Sequence, residues 1–243
     1  MALKKKIVIA IDNGHGYNTA GKRAPDESMR EWEFNHPTAL YLKAELEKCG
    51  FEVIMVSDTR EDTSLATRVK RAEAAKADFF ISIHANAYLN KWGSHGGIET
   101  YAYRAGCVGD KLAKEVQSAL IAATKLRDRG VKYDSLYVVR ESTMPAILVE
   151  CGFMDNRNEL ALLKSDVYRR KCAQAIAKGV CKHTGVTYVS NTTGTNTPAT
   201  SKDEVYWRVV CGSFKNKATA EKRRKELESK GFDGVFLTQY VKE

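Results

Sequence analysis

Short apolar runs alternate with longer amphipathic stretches along the first 189 residues of the chain. The runs are rich in β-branched and aromatic residues and are bounded by turn-forming or charged residues, which is typical of buried strands. They occupy residues 6–11, 51–56, 78–83, 97–103, 135–139 and 145–149. We therefore predict six short buried strands.

The stretches between several of these runs have helical periodicity. In the segment 168–180, Cys172, Ile176 and Val180 recur every four positions and define one apolar helix face. Strands that alternate with helices in this way are typical of α/β proteins. We therefore predict an α/β domain with a mostly parallel, twisted sheet that is flanked by helices.

The first helix is predicted from a shorter pattern. Leu42 and Leu46 repeat at helical spacing, and Gly50 is well placed to end the helix. Pro37 is tolerated in the first turn of a helix but not deeper, because it lacks a backbone N–H and its ring clashes with the preceding turn. We therefore expect the regular helix to begin near His36.

A change in composition divides the chain after residue 189. Residues 190–203 (SNTTGTNTPATSKD) contain no large apolar side chain and are dense in Ser, Thr, Asn and Gly. Such a segment cannot bury enough surface to offset the entropy of ordering, so we interpret it as a flexible linker. The expected domains are 1–189 and a small module, 204–243. The pattern of the module predicts a β-α-β unit with elements at 205–211, 219–230 and 235–240.

The composition is that of a soluble globular protein, with 43% hydrophobic and 28% charged residues. No run approaches the ~20 apolar residues that span a bilayer, so we expect no membrane insertion. The N-terminal apolar stretch covers only residues 7–11, whereas the core of a secretory signal has ~7–15 apolar residues. We therefore expect synthesis in the cytoplasm without a signal peptide.

Basic residues exceed acidic ones along the whole chain, and the formal net charge is +9. A diffuse positive field favours an anionic polymer as partner. Nucleic acid and wall teichoic acid are both such polymers, and the charge alone does not distinguish them.

Two histidines and one glutamate follow predicted strands. His15 lies a few residues beyond the first apolar run, His84 directly follows the run 78–83, and Glu150 directly follows the run 145–149. Ligands of open α/β sheets bind at the carboxyl ends of the strands. We therefore expect these three side chains to lie near one another.

Their residue types are those of a catalytic zinc site. Such a site has three protein ligands and one open position. His15 and His84 are candidate ligands, and either Glu31 or Glu33, which precede the first predicted helix, could supply the third. Glu150 is a candidate general base, because a carboxylate after a buried strand is costly unless it has a partner or a task.

The remaining histidines are interpreted as structural. His95 lies in a glycine-rich loop (GSHGG) and is expected to be solvated. His36 precedes a proline and is expected to cap or pack, and His183 follows the last helix of the domain, where it can stabilise the helix end.

Five short motifs surround the candidate residues. They are IDNGHG (11–16), EWEFN (31–35), SIHANA (82–87), GIETY (97–101) and PAILVECGFMDN (145–156). In this order and spacing they resemble the N-acetylmuramoyl-L-alanine amidases of the zinc-dependent type 3 group. The resemblance covers residues 5 to about 185, and the five motifs together are highly specific.

The resemblance implies a role for each candidate. His15 of the GHG motif, Glu31 of the E-x-x-x-N pattern and His84 of the SIHAN segment are implied as the zinc ligands. Glu150 is implied as the catalytic base, and Glu33 then lies outside the ligand set. The family usually has proline where this chain has Asn13 and glycine where it has Tyr17; these departures bear on substrate preference more than on catalysis.

The resemblance also implies an activity. A zinc-dependent hydrolase would cleave the amide between N-acetylmuramic acid and L-alanine in peptidoglycan, and its partners would be peptidoglycan and possible anionic wall polymers rather than nucleic acid. Without a signal peptide, a phage endolysin that acts on the wall after release is favoured. The alternatives are a sporulation-associated mother-cell autolysin, a zinc peptidase acting on the peptide stem, and a non-catalytic wall-binding protein.

The C-terminal module resembles one half of a SPOR-type peptidoglycan-binding domain. The resemblance depends on residues 209–214 and on the A-x-x-x-x-x-x-L spacing of the predicted helix. A complete SPOR domain has two β-α-β halves. The single half therefore either pairs with a second copy in a homodimer or packs on the catalytic domain.

Overall fold

The computed structural model describes residues 6–89, 91–190 and 216–229. The chain divides into two compact units, Met1–Thr192 and Thr193–Glu243. The first unit contains six strands and six helices among the described residues: β1 (Val8–Asn13), α1 (Trp32–Lys48), β2 (Glu52–Met55), α2 (Leu65–Ala74), β3 (Phe79–Asn86), β4 (Ile98–Ala102), α3 (Val108–Thr124), β5 (Asp128–Tyr133), α4 (Tyr137–Glu141), β6 (Ala146–Phe153), α5 (Arg157–Leu163) and α6 (Asp166–Thr184).

The six strands form one sheet in the order β2-β1-β3-β6-β4-β5. All neighbouring pairs are parallel except β4 and β6, which are antiparallel. The prediction of a mostly parallel α/β sheet is confirmed.

The two faces of the sheet are covered by different helices. Along β1, Ile9 and Ile11 pack into a core with α1, α3 and α6, whereas Val8 and Ala10 pack with α2 and α4. Alternate residues of a strand point to opposite faces, so a strand buried on both sides is apolar throughout. This double burial explains why the apolar runs were continuous rather than alternating.

The predicted strand at 135–139 is wrong, and one strand was missed. Residues Tyr137–Glu141 form the short helix α4, whose Val138 and Val139 are buried against α2 and the sheet. A short apolar run does not distinguish a strand from a buried helical turn. The missed strand β5 (DRGVKY) lies at the edge of the sheet and is partly exposed, so it has no apolar run to reveal it.

The first helix begins earlier than predicted. It starts at Trp32 rather than near His36, and Pro37 lies inside it. The N–H groups of Phe34 and Asn35 both donate to the Glu31 carbonyl at 3.0 Å, and both side chains are buried. Burial of these two residues therefore outweighs the loss of one helical hydrogen bond at the proline.

Helix α6 agrees with its predicted apolar face, since Cys172, Ile176 and Val180 are all fully buried. In the second unit, the described residues include helix α7 (Lys217–Ser229), which overlaps the predicted helix at 219–230. The predicted strands at 205–211 and 235–240 lie outside the described residues. Among the residues that the structure does describe, no helix is both long and apolar enough to cross a bilayer.

Candidate metal centre

Three side chains from three different elements meet beside the sheet. His15 follows β1, Glu31 occupies the N-cap position of α1, and His84 lies on β3. One potential ligand atom from each lies within 4.8 Å of the other two. His84 Nδ1 is 2.9 Å from Glu31 Oε1, and His15 Nε2 is 3.4 Å from Glu31 Oε2. The two imidazole rings are edge to face with centroids 4.9 Å apart.

The backbone after β1 is shaped to admit both rings. His15 has a positive φ of 62°, which turns the chain sharply at the end of the strand. Gly14 donates its N–H to the Ile83 carbonyl at 3.0 Å and so lies against β3. A Cβ atom on Gly14 would lie 2.1 Å from His84 Cε1, so only glycine leaves room for this ring.

Burial and the contacts within this triad shift the pKa of each member. Burial lowers the pKa of His15 to about 4, so its imidazole is neutral at pH 7. Burial alone would raise the pKa of Glu31, but the hydrogen bond from His84 and the charge of His15 outweigh it and hold the pKa at about 2. Burial also opposes charge on His84, yet the hydrogen bond and charge of Glu31 raise its pKa above the ordinary value.

Two imidazoles and one carboxylate form a common ligand set of catalytic zinc sites. The residues present therefore fit a zinc ion. Because the raised pKa of His84 favours its protonated form, binding of a cation by the triad would displace a proton from His84.

A chain of buried hydrogen bonds holds the Nε2 side of the His84 ring. Ser82 Oγ donates to Asp12 Oδ2 at 2.6 Å and lies 3.0 Å from His84 Nε2. A hydroxyl has a single hydrogen, so Ser82 must accept from the N–H at Nε2. This leaves Nδ1 facing Glu31 and the other ligand atoms. Asp12 is held in turn by Arg68 Nη1 at 2.5 Å and by Ser57 Oγ at 2.6 Å.

Replacing Ser82 by alanine is expected to lower zinc affinity about 10–100-fold, the usual cost of losing an outer-shell partner of a ligand histidine. Ser57→Ala is the matched control, because Ser57 donates to the same Asp12 carboxylate without reaching His84. Competition with a chromophoric chelator measures both affinities. Equal affinities in the two variants would contradict a role for Ser82 in orienting His84.

Glu150 lies beside the triad on the central strand β6. It is paired in register with His84 of β3 and with Glu99 of β4. Its Oε2 atom is buried and has no hydrogen-bond partner among the residues that the structure describes. Burial raises the pKa of Glu150 to about 8, and the charges of Glu31 and Glu99 act in the same direction while that of His84 opposes them.

Glu31 and Glu150 open into the same pocket, which has a volume of about 380 Å³. The pocket is lined by Gly21, Lys22, Glu31, Ala85, Asn86, Ala87, Tyr88, Leu89, Glu150 and Met154. His84 and Glu150 were expected at strand ends, but β3 and β6 continue past both. The two side chains therefore project from within the sheet, next to the pocket.

Other candidate residues lie outside this cluster. Glu33 accepts the N–H of Arg30 at 2.7 Å and takes no part in the triad, so of the two glutamates left open by the pattern only Glu31 joins it. His95 was expected to be solvated, but Nε2 lies 2.9 Å from the buried Asp155.

The two other histidines pack against aromatic rings. His36 stacks on Trp32 with ring centroids 4.6 Å apart, and His183 packs edge to face on Phe79. Sequence reasoning missed Asp12 and Ser82, although Ser82 lies inside an apolar run and Asp12 directly follows one, which is a signal of a buried polar contact.

Comparison with known proteins identifies the class. The N-acetylmuramoyl-L-alanine amidase family (Amidase_3) matches residues 9–182, and the SPOR domain matches residues 183–241. The SPOR match begins at His183, in the last turn of α6.

Two relatives and one solved structure illustrate the similarity. The amidase LytC of Bacillus subtilis is 38% identical over 74% of this chain, which spans only 37% of LytC. The sporulation-specific N-acetylmuramoyl-L-alanine amidase of B. subtilis is 32% identical over 95% of this chain and 84% of its own length. The catalytic domain of the amidase CwlV from Bacillus (Paenibacillus) polymyxa is 35% identical, with a TM-score of 0.69 over 74% of this chain and 99% of that domain.

The open α/β sheet and its flanking helices have the fold of the catalytic domain of an N-acetylmuramoyl-L-alanine amidase. The chain belongs to the N-acetylmuramoyl-L-alanine amidase family. The family and the SPOR similarity predicted from the motifs are thereby confirmed.

Proposed function

We propose that this protein is a zinc-dependent hydrolase that cleaves the amide between the lactyl group of N-acetylmuramic acid and L-alanine in peptidoglycan. The observation that carries the proposal is the convergence of His15, Glu31 and His84 beside Glu150, whose Oε2 atom has no hydrogen-bond partner in the described part of the chain. Glu31 of the triad and Glu150 line the same pocket, so a substrate amide that enters it can approach both the triad and the proposed base.

The chain's own residues supply binding and proton transfer. His15, Glu31 and His84 would hold the zinc ion, which would polarise the scissile carbonyl and acidify water next to it. The positive charge of a zinc ion held by the triad would lower the raised pKa of Glu150, so that its carboxylate is ionised and accepts a proton from the attacking water. Glu150 then delivers this proton to the departing alanine nitrogen. Ser82 and Asp12 keep the His84 ring in place throughout.

Product analysis on purified peptidoglycan tests the bond that is cut. We expect new free amino groups on L-alanine, while the glycan strands keep their length and no new reducing sugars form. Release of amino acids from the end of the stem would instead identify a zinc peptidase. A protein that binds the wall and releases no product would be a non-catalytic wall-binding protein.

We propose that the chain consists of a catalytic domain (1–189), a flexible linker (190–203) and a peptidoglycan-binding module (204–243) that pairs with a second copy. The SPOR match and the presence of a single predicted β-α-β unit support this division. Light scattering on the full chain and on a chain ending at residue 189 measures the effect of the module on mass, and sedimentation with cell-wall sacculi measures its effect on binding. A full-length monomer would exclude pairing, and equal sedimentation of both chains would exclude a binding role.

For the biological role, we propose lysis of a mother-cell wall rather than phage-induced lysis. The similarity to the sporulation-specific amidase supports this role, because it extends over 95% of the chain. The transcript is then expected to rise late in sporulation. A transcript that rises only on prophage induction would favour the endolysin.

A further inference from the structure

The pocket beside the metal triad contains one basic side chain. Of its lining residues, only Lys22, Glu31 and Glu150 are charged. Glu31 is engaged by both histidines, and Glu150 is the proposed base. Lys22 is exposed and forms no ion pair with any residue that the structure describes. The ammonium group is therefore available to a negative group that enters the pocket.

The backbone of Lys22 is hydrogen-bonded to the backbone of Glu31, one of the proposed metal ligands. The Lys22 carbonyl accepts the N–H of Glu31 at 2.9 Å, and the Lys22 N–H donates to the Thr19 carbonyl at 3.3 Å. Next to it, the backbone of Arg23 forms an isolated antiparallel β-bridge with the backbone of Arg30. The Cα of Lys22 is therefore tied to the start of α1, and only its side chain is free to reach a bound molecule.

Among the described residues that line the pocket, Lys22 alone carries a positive charge. Tyr88, Leu89 and Met154 are largely apolar, and the N–H groups of Tyr88 and Leu89 are already taken by the buried Asp155, at 2.8 and 3.2 Å. The Asn86 side chain donates to Glu99 at 2.8 Å. A carboxylate in the pocket would therefore gain most from Lys22.

The substrate of the proposed reaction carries a carboxylate close to the bond that is cut. The scissile nitrogen belongs to the first residue of the stem, and the second residue follows within one residue length, ~3.6 Å. In peptidoglycan this second residue is a glutamate linked through its side chain, so that its α-carboxyl group is either free or converted to a carboxamide. The two forms have almost the same shape and differ by one charge.

We propose that Lys22 binds the free α-carboxylate of the second stem residue and makes the enzyme selective for stems in which this group is not amidated. The inference rests on the proposed function, since it assigns a subsite of the same pocket. Lys22 is thus a specificity-determining residue, whereas the triad and Glu150 carry out the reaction.

The test uses the full-length protein and two disaccharide–tripeptides that differ only in this carboxylate or carboxamide. We expect the wild type to prefer the carboxylate about fivefold in kcat/KM, mainly through KM, which is at the upper end for a solvent-exposed ion pair. In Lys22→Met the ratio of kcat/KM for the two substrates should fall to about one, and Lys22→Arg should restore it. The preference of the wild type should also weaken as salt is added.

Arg23→Met is the matched control. Arg23 adjoins Lys22 but pairs with Glu27 at 3.2 Å and does not line the pocket, so its removal should leave the substrate preference unchanged. A wild-type enzyme that cleaves both substrates equally, or a Lys22→Met variant that keeps the preference, would overturn the inference and leave the proposed amidase activity intact. Absence of cleavage of either substrate by the wild type would instead contradict the proposed function itself.

Discussion

Glutamine in place of Glu150 is expected to lower kcat by about 10²–10⁴-fold, the range for losing a general acid–base group. The amide has nearly the same shape as the carboxylate, so the sheet and the pocket should be kept. It cannot accept a proton from water at neutral pH, and that step depends on Glu150 in the proposed mechanism. Because Glu150 lies outside the triad, zinc should remain bound.

The comparison with Glu99→Gln makes this result specific. Glu99 is also a glutamate and is the register partner of Glu150. Its carboxylate, however, is engaged by four side chains, those of Asn86, Tyr101, Arg129 and Lys132. Its replacement should lower the free energy of unfolding by about 1–3 kcal/mol, through weakened charged hydrogen bonds, and kcat by far less than in Glu150→Gln.

Initial rates on purified peptidoglycan, zinc content by elemental analysis and thermal unfolding distinguish the two variants. If Glu150→Gln retains most of the wild-type kcat with zinc bound, Glu150 is not the proton acceptor. If Glu150→Gln also loses zinc, then Glu150 contributes to metal binding, and the assignment of this residue as a base outside the triad is wrong.

The candidate site could be predicted from the sequence because its side chains come from a few tightly bounded segments. His84 directly follows a continuous apolar run, where a polar residue is costly without a partner, and His15 lies a few residues beyond another such run. The pattern alone left Glu31 and Glu33 equivalent. The turn into α1 distinguishes them, because it directs the Glu31 carboxylate toward the histidines, whereas the Glu33 carboxylate accepts the backbone N–H of Arg30.

What could not be predicted depends on contacts between distant segments. The link from Asp12 through Ser82 to His84 joins two strands that are separate in sequence, and nothing in either run fixes their register. Lys22 is one of many lysines in a basic chain, and its place in the pocket follows from the hydrogen bond to Glu31. The edge strand β5 escaped notice because edge strands need no continuous apolar run.

Loss of the carboxylate at Glu31 is expected to weaken zinc binding by more than the ~10–100-fold that an outer-shell change costs, since a ligand itself is altered. Glu31→Gln keeps the shape of the side chain. The hydrogen bonds that Glu31 Oε1 accepts from Asn35 Nδ2 at 3.1 Å and from the Ala85 N–H at 3.2 Å can still form to an amide oxygen. The fold should therefore persist, while the negative charge that holds a cation between His15 and His84 is removed.

The matched control for this variant is Glu33→Gln, two residues away on the same helix and outside the triad, which should keep wild-type zinc content. Chelation of the wild type should abolish hydrolysis, and added zinc should restore it. In Glu31→Gln the same addition should restore little activity at zinc concentrations that saturate the wild type. The decisive quantity is the zinc dissociation constant, because activity alone could fall for other reasons. An unchanged constant in Glu31→Gln, or equal losses in Glu31→Gln and Glu33→Gln, would exclude the triad as the metal site, and the assignment of Glu150 as a base acting beside a metal would fail with it.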